Sequence, residues 1–127
     1  ELVNEWIKKA DGDFRSALRE YRARKEPNYD AAGFHAQQSV EKYLKAILQN
    51  NNIPFQKIHD LLALMELCLP VFPEIELQKE LLGYLNQFSI KFRYPGEEAT
   101  REQAKSAIHT LKILIPILRE KLAIPKT

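Results

Sequence analysis

The side chains able to handle charge gather in three places along the chain. On the stretch 30–50, His35, Gln38, Lys42, Lys45 and Gln49 recur at three- and four-residue steps, so they share one helical face. The opposite face carries Ala36, Val40, Tyr43, Leu44, Ile47 and Leu48. The plain reading of the polar face is a solvated surface. Gln37 is different, because it projects between Leu44 and Leu48 inside the apolar arc, with Glu41 at that arc's edge. A buried amide without partners costs roughly 1–3 kcal/mol, so either a loop caps Gln37 or it belongs to a polar pocket. The second place is Arg93-Tyr94-Pro95-Gly96. Arg93 closes a helix, where a cation complements the dipole. It also stands beside an aromatic ring on a constrained turn, and such a pair can hold a phosphate and stack on a base. The third is the last helix, where Arg101, Lys105, Lys112 and Arg119 fall within about 40° of one another and His109 flanks them. This strip can neutralise phosphates, although Glu102 and Glu120 dilute it.

Other chemistries lack their residues. Carboxylate-bridged metal bundles need Glu-x-x-His pairs, and the residues three before His35, His59 and His109 are Ala32, Gln56 and Ser106. One cysteine and three scattered histidines match no zinc spacing. There is no Walker loop, no dinucleotide-binding glycine motif and no Gly-x-Ser-x-Gly elbow. No catalytic residue, metal or cofactor is therefore expected. Cys68 lies in the apolar run Leu67-Cys68-Leu69 and reads as a small buried hydrophobe.

These groups must be positioned by helices. Only four glycines occur, and breaks fall at Glu26-Pro27-Asn28, Asn50-Asn51-Asn52-Ile53-Pro54, Leu69-Pro70-Val71-Phe72-Pro73 and Tyr94-Pro95-Gly96. Between them the spacing predicts helices over 2–24, 30–50, 60–69, 75–92 and 100–122. The first presents Val3, Trp6, Ile7, Ala10, Phe14, Ala17, Leu18 and Tyr21 as a stripe about 120° wide. Asp60 is a good N-cap for the short third helix. The fourth lines up Leu77, Leu81, Tyr84, Leu85, Phe88 and Phe92, and Pro95 should stop it near Arg93. Thr100 with Gln103 forms a capping box for the last helix, within which Pro116 should bend or break the chain. The expected fold class is all-α, an up-and-down four-helix bundle with an additional short helix. Ile113 and Ile117 point away from the last helix's core stripe, either as a subunit interface or as two isolated surface isoleucines.

The 127 residues, 45% hydrophobic and 28% charged, suit one domain over 1–127. Nineteen Lys and Arg against seventeen Asp and Glu leave a net charge of +2, too small for a bulk nucleic-acid coat. No apolar run reaches the ~20 residues that span a bilayer. The N-terminal Glu-Leu-Val-Asn-Glu-Trp lacks the basic and then apolar regions of a signal peptide, so a soluble cytoplasmic protein is expected.

Taken in order, Trp6, Ala10 and Asp13, the run Phe34-His35-Ala36-Gln37-Gln38-Ser39-Val40-Glu41-Lys42-Tyr43-Leu44-Lys45-Ala46, then His59-Asp60-Leu61 and Phe92-Arg93-Tyr94-Pro95 resemble a HEPN domain (higher eukaryotes and prokaryotes nucleotide-binding). The resemblance covers nearly the whole chain and is nearest to the stand-alone prokaryotic branch often encoded beside a minimal nucleotidyltransferase. It implies a helical bundle that pairs as a homodimer with a polar cleft near the dimer contact. It also implies binding of a nucleotide, ATP or GTP, or of RNA. Carried over by position, the nucleotide-binding residues are Gln38, Lys42, Lys45, His59, Arg93 and Tyr94, with Glu41 supporting them by orienting a lysine or Arg93.

Ribonuclease members of that family carry Arg, four to six residues, then His. The required positions hold Asp30, Tyr29 and Asn28 before His35, then Pro54, Ile53 and Asn52 before His59, then Ala104, Gln103 and Glu102 before His109. Arg101 stands one residue too far from His109, about 12 Å along a helix axis. The leading expectation is a non-catalytic nucleotide-binding partner of a nucleotidyltransferase in a toxin–antitoxin-like module. A metal-independent ribonuclease toxin with a non-standard site and a pure protein-interaction module are the alternatives.

Overall fold

The computed structural model describes residues 1–126. Helices α1 (Leu2–Arg22), α2 (Tyr29–Asn50), α3 (Leu61–Cys68), α4 (Lys79–Asn86) and α5 (Arg101–Lys121) form an all-α bundle, and no strand occurs among the described residues. None of these helices is long and apolar enough to cross a membrane.

α2 is the axis of the molecule and touches α1, α3, α4 and α5. Asn28 starts it, its Oδ1 accepting from the Ala31 amide at 2.9 Å. All six residues of its predicted apolar stripe are at most 1% exposed. Burial then spreads round the helix to Ala32, Gly33, Gln37, Ser39, Glu41, Lys45 and Ala46. The face read as solvated is therefore largely covered. The cause is α1, which meets α2 through the small residues Ala10 and Ala17, so the two helices approach closely. Ser39 Oγ donates to the Ala10 carbonyl at 2.9 Å across that seam.

Local signals end and start the remaining elements. α1 stops at Arg22, two residues before the predicted end, because the chain must turn through Glu26 at φ +48° ahead of Pro27. Asp60 caps α3 as expected, accepting from the Leu62 amide at 2.9 Å. At α5 both halves of the capping box are made, Thr100 Oγ1 accepting from Gln103 N at 3.1 Å and Gln103 Oε1 from Thr100 N at 2.8 Å. Pro116 does not interrupt α5. Its missing N–H falls opposite the carbonyl of Lys112, an exposed residue, where water can take the place of the helical donor. Ile117 packs against the core, leaving Ile113, 40% exposed, as the outward member of that pair.

The predicted helix 75–92 is the main departure. A 3-10 segment (Pro73–Gln78), α4, and two 3-10 turns (Gln87–Ser89 and Lys91–Arg93) take its place. The tighter opening turn shifts the phase, burying Ile75 and Leu82 and leaving Leu77 82% exposed. Beyond α4, Ser89 Oγ donates to the Asn86 carbonyl at 2.9 Å, a local bond that competes with the helical ladder. Phe88 drops onto Gly33 of α2 and packs between Tyr84, edge to face, and Phe92, with ring centroids 5.6 and 5.3 Å away. Tyr94 is then extended, as Pro95 requires. Cys68 is buried, and burial pushes its thiol up to about 12, so it is inert packing.

Candidate functional site

The polar residues of α2 divide into two clusters. In the first, Asp13 of α1, only 8% exposed, accepts from Lys42 Nζ at 2.5 Å and pairs with His35 Nδ1 at 2.8 Å. A carboxylate oxygen only accepts, so His35 Nδ1 carries the proton. Lys42 thus neutralises an internal acid.

The second cluster is centred on Glu41, which is 2% exposed. Its Oε2 accepts from Lys45 Nζ at 3.0 Å and from His59 Nδ1 at 3.2 Å. Its Oε1 accepts from Gln38 Nε2 at 3.1 Å and lies 3.5 Å from Gln37 Nε2. Gln37 also donates to the His59 carbonyl at 2.9 Å, and its own Oε1 accepts from Gln38 at 2.8 Å. Both expectations for Gln37 are met at once, since a loop caps it and the loop brings a polar pocket with it. Among the described residues no buried side-chain nitrogen or oxygen lacks a partner. Glu41 orients Lys45 and His59, and makes no bond to Arg93. Lys45 is buried, with its ammonium 5.5 Å from the ring centre of Trp6 on α1.

Above this network a cleft of about 430 Å³ opens, large enough for a small molecule. Phe34 and Gln38 of α2 form one wall, with His59 and Asp60 at the end. Asn86, Ser89, Ile90 and Arg93 form the facing wall. The facing wall is tied to that end by Asn86, which donates to Asp60 Oδ1 and accepts from the Leu61 amide, each at 2.9 Å. His59 is 70% exposed yet anchored through Nδ1 and its carbonyl, so its Nε2 is presented with a fixed orientation. Arg93 is exposed and makes no side-chain hydrogen bond or ion pair among the described residues.

Of the residues singled out in the sequence, Gln38, His59 and Arg93 meet in this cleft. Lys42 and Lys45 do not line it, because carboxylates of the bundle hold both. Tyr94 follows Arg93 and is 66% exposed outside the lining. Phe34, Asn86, Ser89 and Ile90 also line it without having been named as site residues. Asn86 left no local signal, since its partners lie 25 and 26 positions away. The basic strip of α5 also comes apart. Arg101 rests 5.8 Å over the Tyr21 ring, and Arg119 turns inward to Asp11 at 2.8 Å.

The fold is thus a helical bundle wrapped round one buried helix, with a cleft whose floor is fixed from within and an unpaired arginine among its lining residues. Residues 3–121 match the HEPN domain, and the chain belongs to that family. Membership ties it to a nucleotide- or RNA-related function. No curated protein and no solved structure matches the chain.

Proposed function

We propose that this protein binds a nucleotide, ATP or GTP, in the cleft between α2 and the Arg93 turn. In this reading it acts without catalysis, as the homodimeric partner of a minimal nucleotidyltransferase in a toxin–antitoxin-like pair. The observation that carries the reading is the contrast among its cations: Lys42 and Lys45 are neutralised inside the bundle, whereas Arg93 stands unpaired beside His59 and Gln38. An unpaired guanidinium can take two phosphate oxygens at once. His59 Nε2 and the Gln38 amide offer directional bonds beside it, and Phe34 offers an aromatic edge. Phe34, Ile90 and Tyr94 are exposed at 38%, 62% and 66% around Arg93, an apolar margin suited to a second copy of the chain.

Calorimetric titration with ATP and GTP tests the reading on the wild type and on Arg93→Ala. Binding should weaken at least about tenfold in the variant, or about 1.4 kcal/mol. Absence of binding to the wild type at millimolar nucleotide, or equal binding by both proteins, overturns it.

A further inference from the structure

A second cleft, of about 570 Å³, lies between α1 and α5 with Tyr43 of α2 at its base, and the function proposed above makes no use of it. Its apolar surface comes from Phe14, Ile115 and Pro116. Its base is a closed polar triad. Asp11 Oδ1 accepts from the Tyr43 hydroxyl and from Arg119 Nη1 at 2.8 Å, and Arg119 Nη1 also reaches the Tyr43 oxygen at 2.7 Å. Burial first, and then the bond to Asp11, push the Tyr43 hydroxyl up to about 12, so it stays a neutral donor. Arg119 Nε is spent on the Pro125 carbonyl, while Nη2 has no partner among the described residues.

The charge around the opening is unbalanced. Arg15, Lys112, Arg119 and Lys126 line the cleft with Asp11 as the one acid among its lining residues, and the triad already engages that acid. Neither Arg15 nor Lys112 has an ion-pair partner among the described residues, and Lys126 meets Glu120 only at 3.5 Å. A cleft with two cations free of any acid, Arg15 and Lys112, beside an apolar wall and the open edge of Arg119 suits a doubly charged head on an apolar, planar body. We infer that this second cleft binds an aromatic phosphomonoester, with the phosphate between Arg15, Lys112 and Arg119 Nη2 and the ring against Pro116, Ile115 and Phe14.

The test uses phenyl phosphate as probe, with inorganic phosphate and phenol as its two halves, titrated into the full chain and followed by amide chemical shifts. The expected result is saturable binding of phenyl phosphate at low millimolar concentration, with shifts at Asp11, Arg15 and Lys112. Affinity should fall at least about tenfold in Lys112→Glu and in Arg15→Glu. Both side chains are exposed, and thermal melts identify any variant that has lost its fold. Lys112→Gln, which removes charge without reversing it, should give a smaller loss in the same direction. Arg93→Ala, in the other cleft, should bind the probe as the wild type does. Absence of binding, equal affinity for inorganic phosphate, or loss of binding in Arg93→Ala with retention in Lys112→Glu each overturns the inference.

Discussion

The two clefts of this bundle treat their arginines in opposite ways. Arg119 is bound to Asp11, to the Tyr43 hydroxyl and to the Pro125 carbonyl, and its side chain is only 14% exposed. Arg93 has no such partners, and the structure around it anchors its neighbours instead. In the first case the arginine is part of the framework with one edge left open, and any binding in the cleft relies on that edge together with the cations at its rim. In the second the network beneath the cleft pairs its own acid, Glu41, with Lys45, which leaves Arg93 uncommitted. The difference shows that a basic residue on a helix wheel says little about function until its carboxylate partners are located.

The strongest way to break this comparison is at Glu41. Glu41→Gln keeps the shape but leaves Lys45 charged, buried and unpaired, which should cost about 3 kcal/mol in denaturant unfolding. It should also release His59 and weaken any ligand of the first cleft. Gly33→Ala should come next, at about 2 kcal/mol. The added Cβ would lie 2.2 Å from Phe88 Cδ1, and Tyr84 and Phe92 hold that ring on both sides. The displaced turn should carry Ser89 and Arg93 out of register. Arg119→Met should cost about 1.5 kcal/mol by leaving Asp11 with the Tyr43 hydroxyl but no counter-charge, measured from the unfolding midpoint. Arg93→Ala should change stability by less than about 0.5 kcal/mol while altering ligand affinity. Equal destabilisation by the two arginine variants would erase the distinction between the clefts.

Much of the fold was legible because its signals are local. Asp60, Thr100 with Gln103, and Pro95 each act within three residues, and each behaves as its chemistry requires. The apolar stripe of α2 was equally plain. What was not legible depends on distant partners. Lys42 meets Asp13 from 29 positions away, so a helix wheel of α2 alone could only place it on an outer face. Glu41 and Lys45 are four apart, a spacing that does advertise a pair, yet their burial comes from the seam with α1. The predicted helix 75–92 failed for a similar reason. Its residues suit a helix, but Phe88 is committed to Gly33 and Asn86 to Asp60 and Leu61, and those commitments are made in space. Lys112 and Arg119 of the second cleft stood out on the wheel of the last helix, but Arg119 joins Asp11 across 108 positions, so the cleft they share with α1 was not legible.

The broken fourth leg of the bundle has a consequence in time as well as in shape. One jaw of the first cleft is the 22-residue α2, whose amides are sealed in the core. The other hangs on two three-residue 3-10 turns, with Phe92 out of helical geometry between Lys91 and Arg93. Short turns of this kind open without the rest of the molecule unfolding. Hydrogen exchange should therefore divide the cleft lengthwise, with fast exchange over 87–93 and the slowest exchange in the molecule on α2. A ligand that bridges the jaws should slow the fast side alone, and the rate of its release would be set by fraying of that turn rather than by any motion of the bundle.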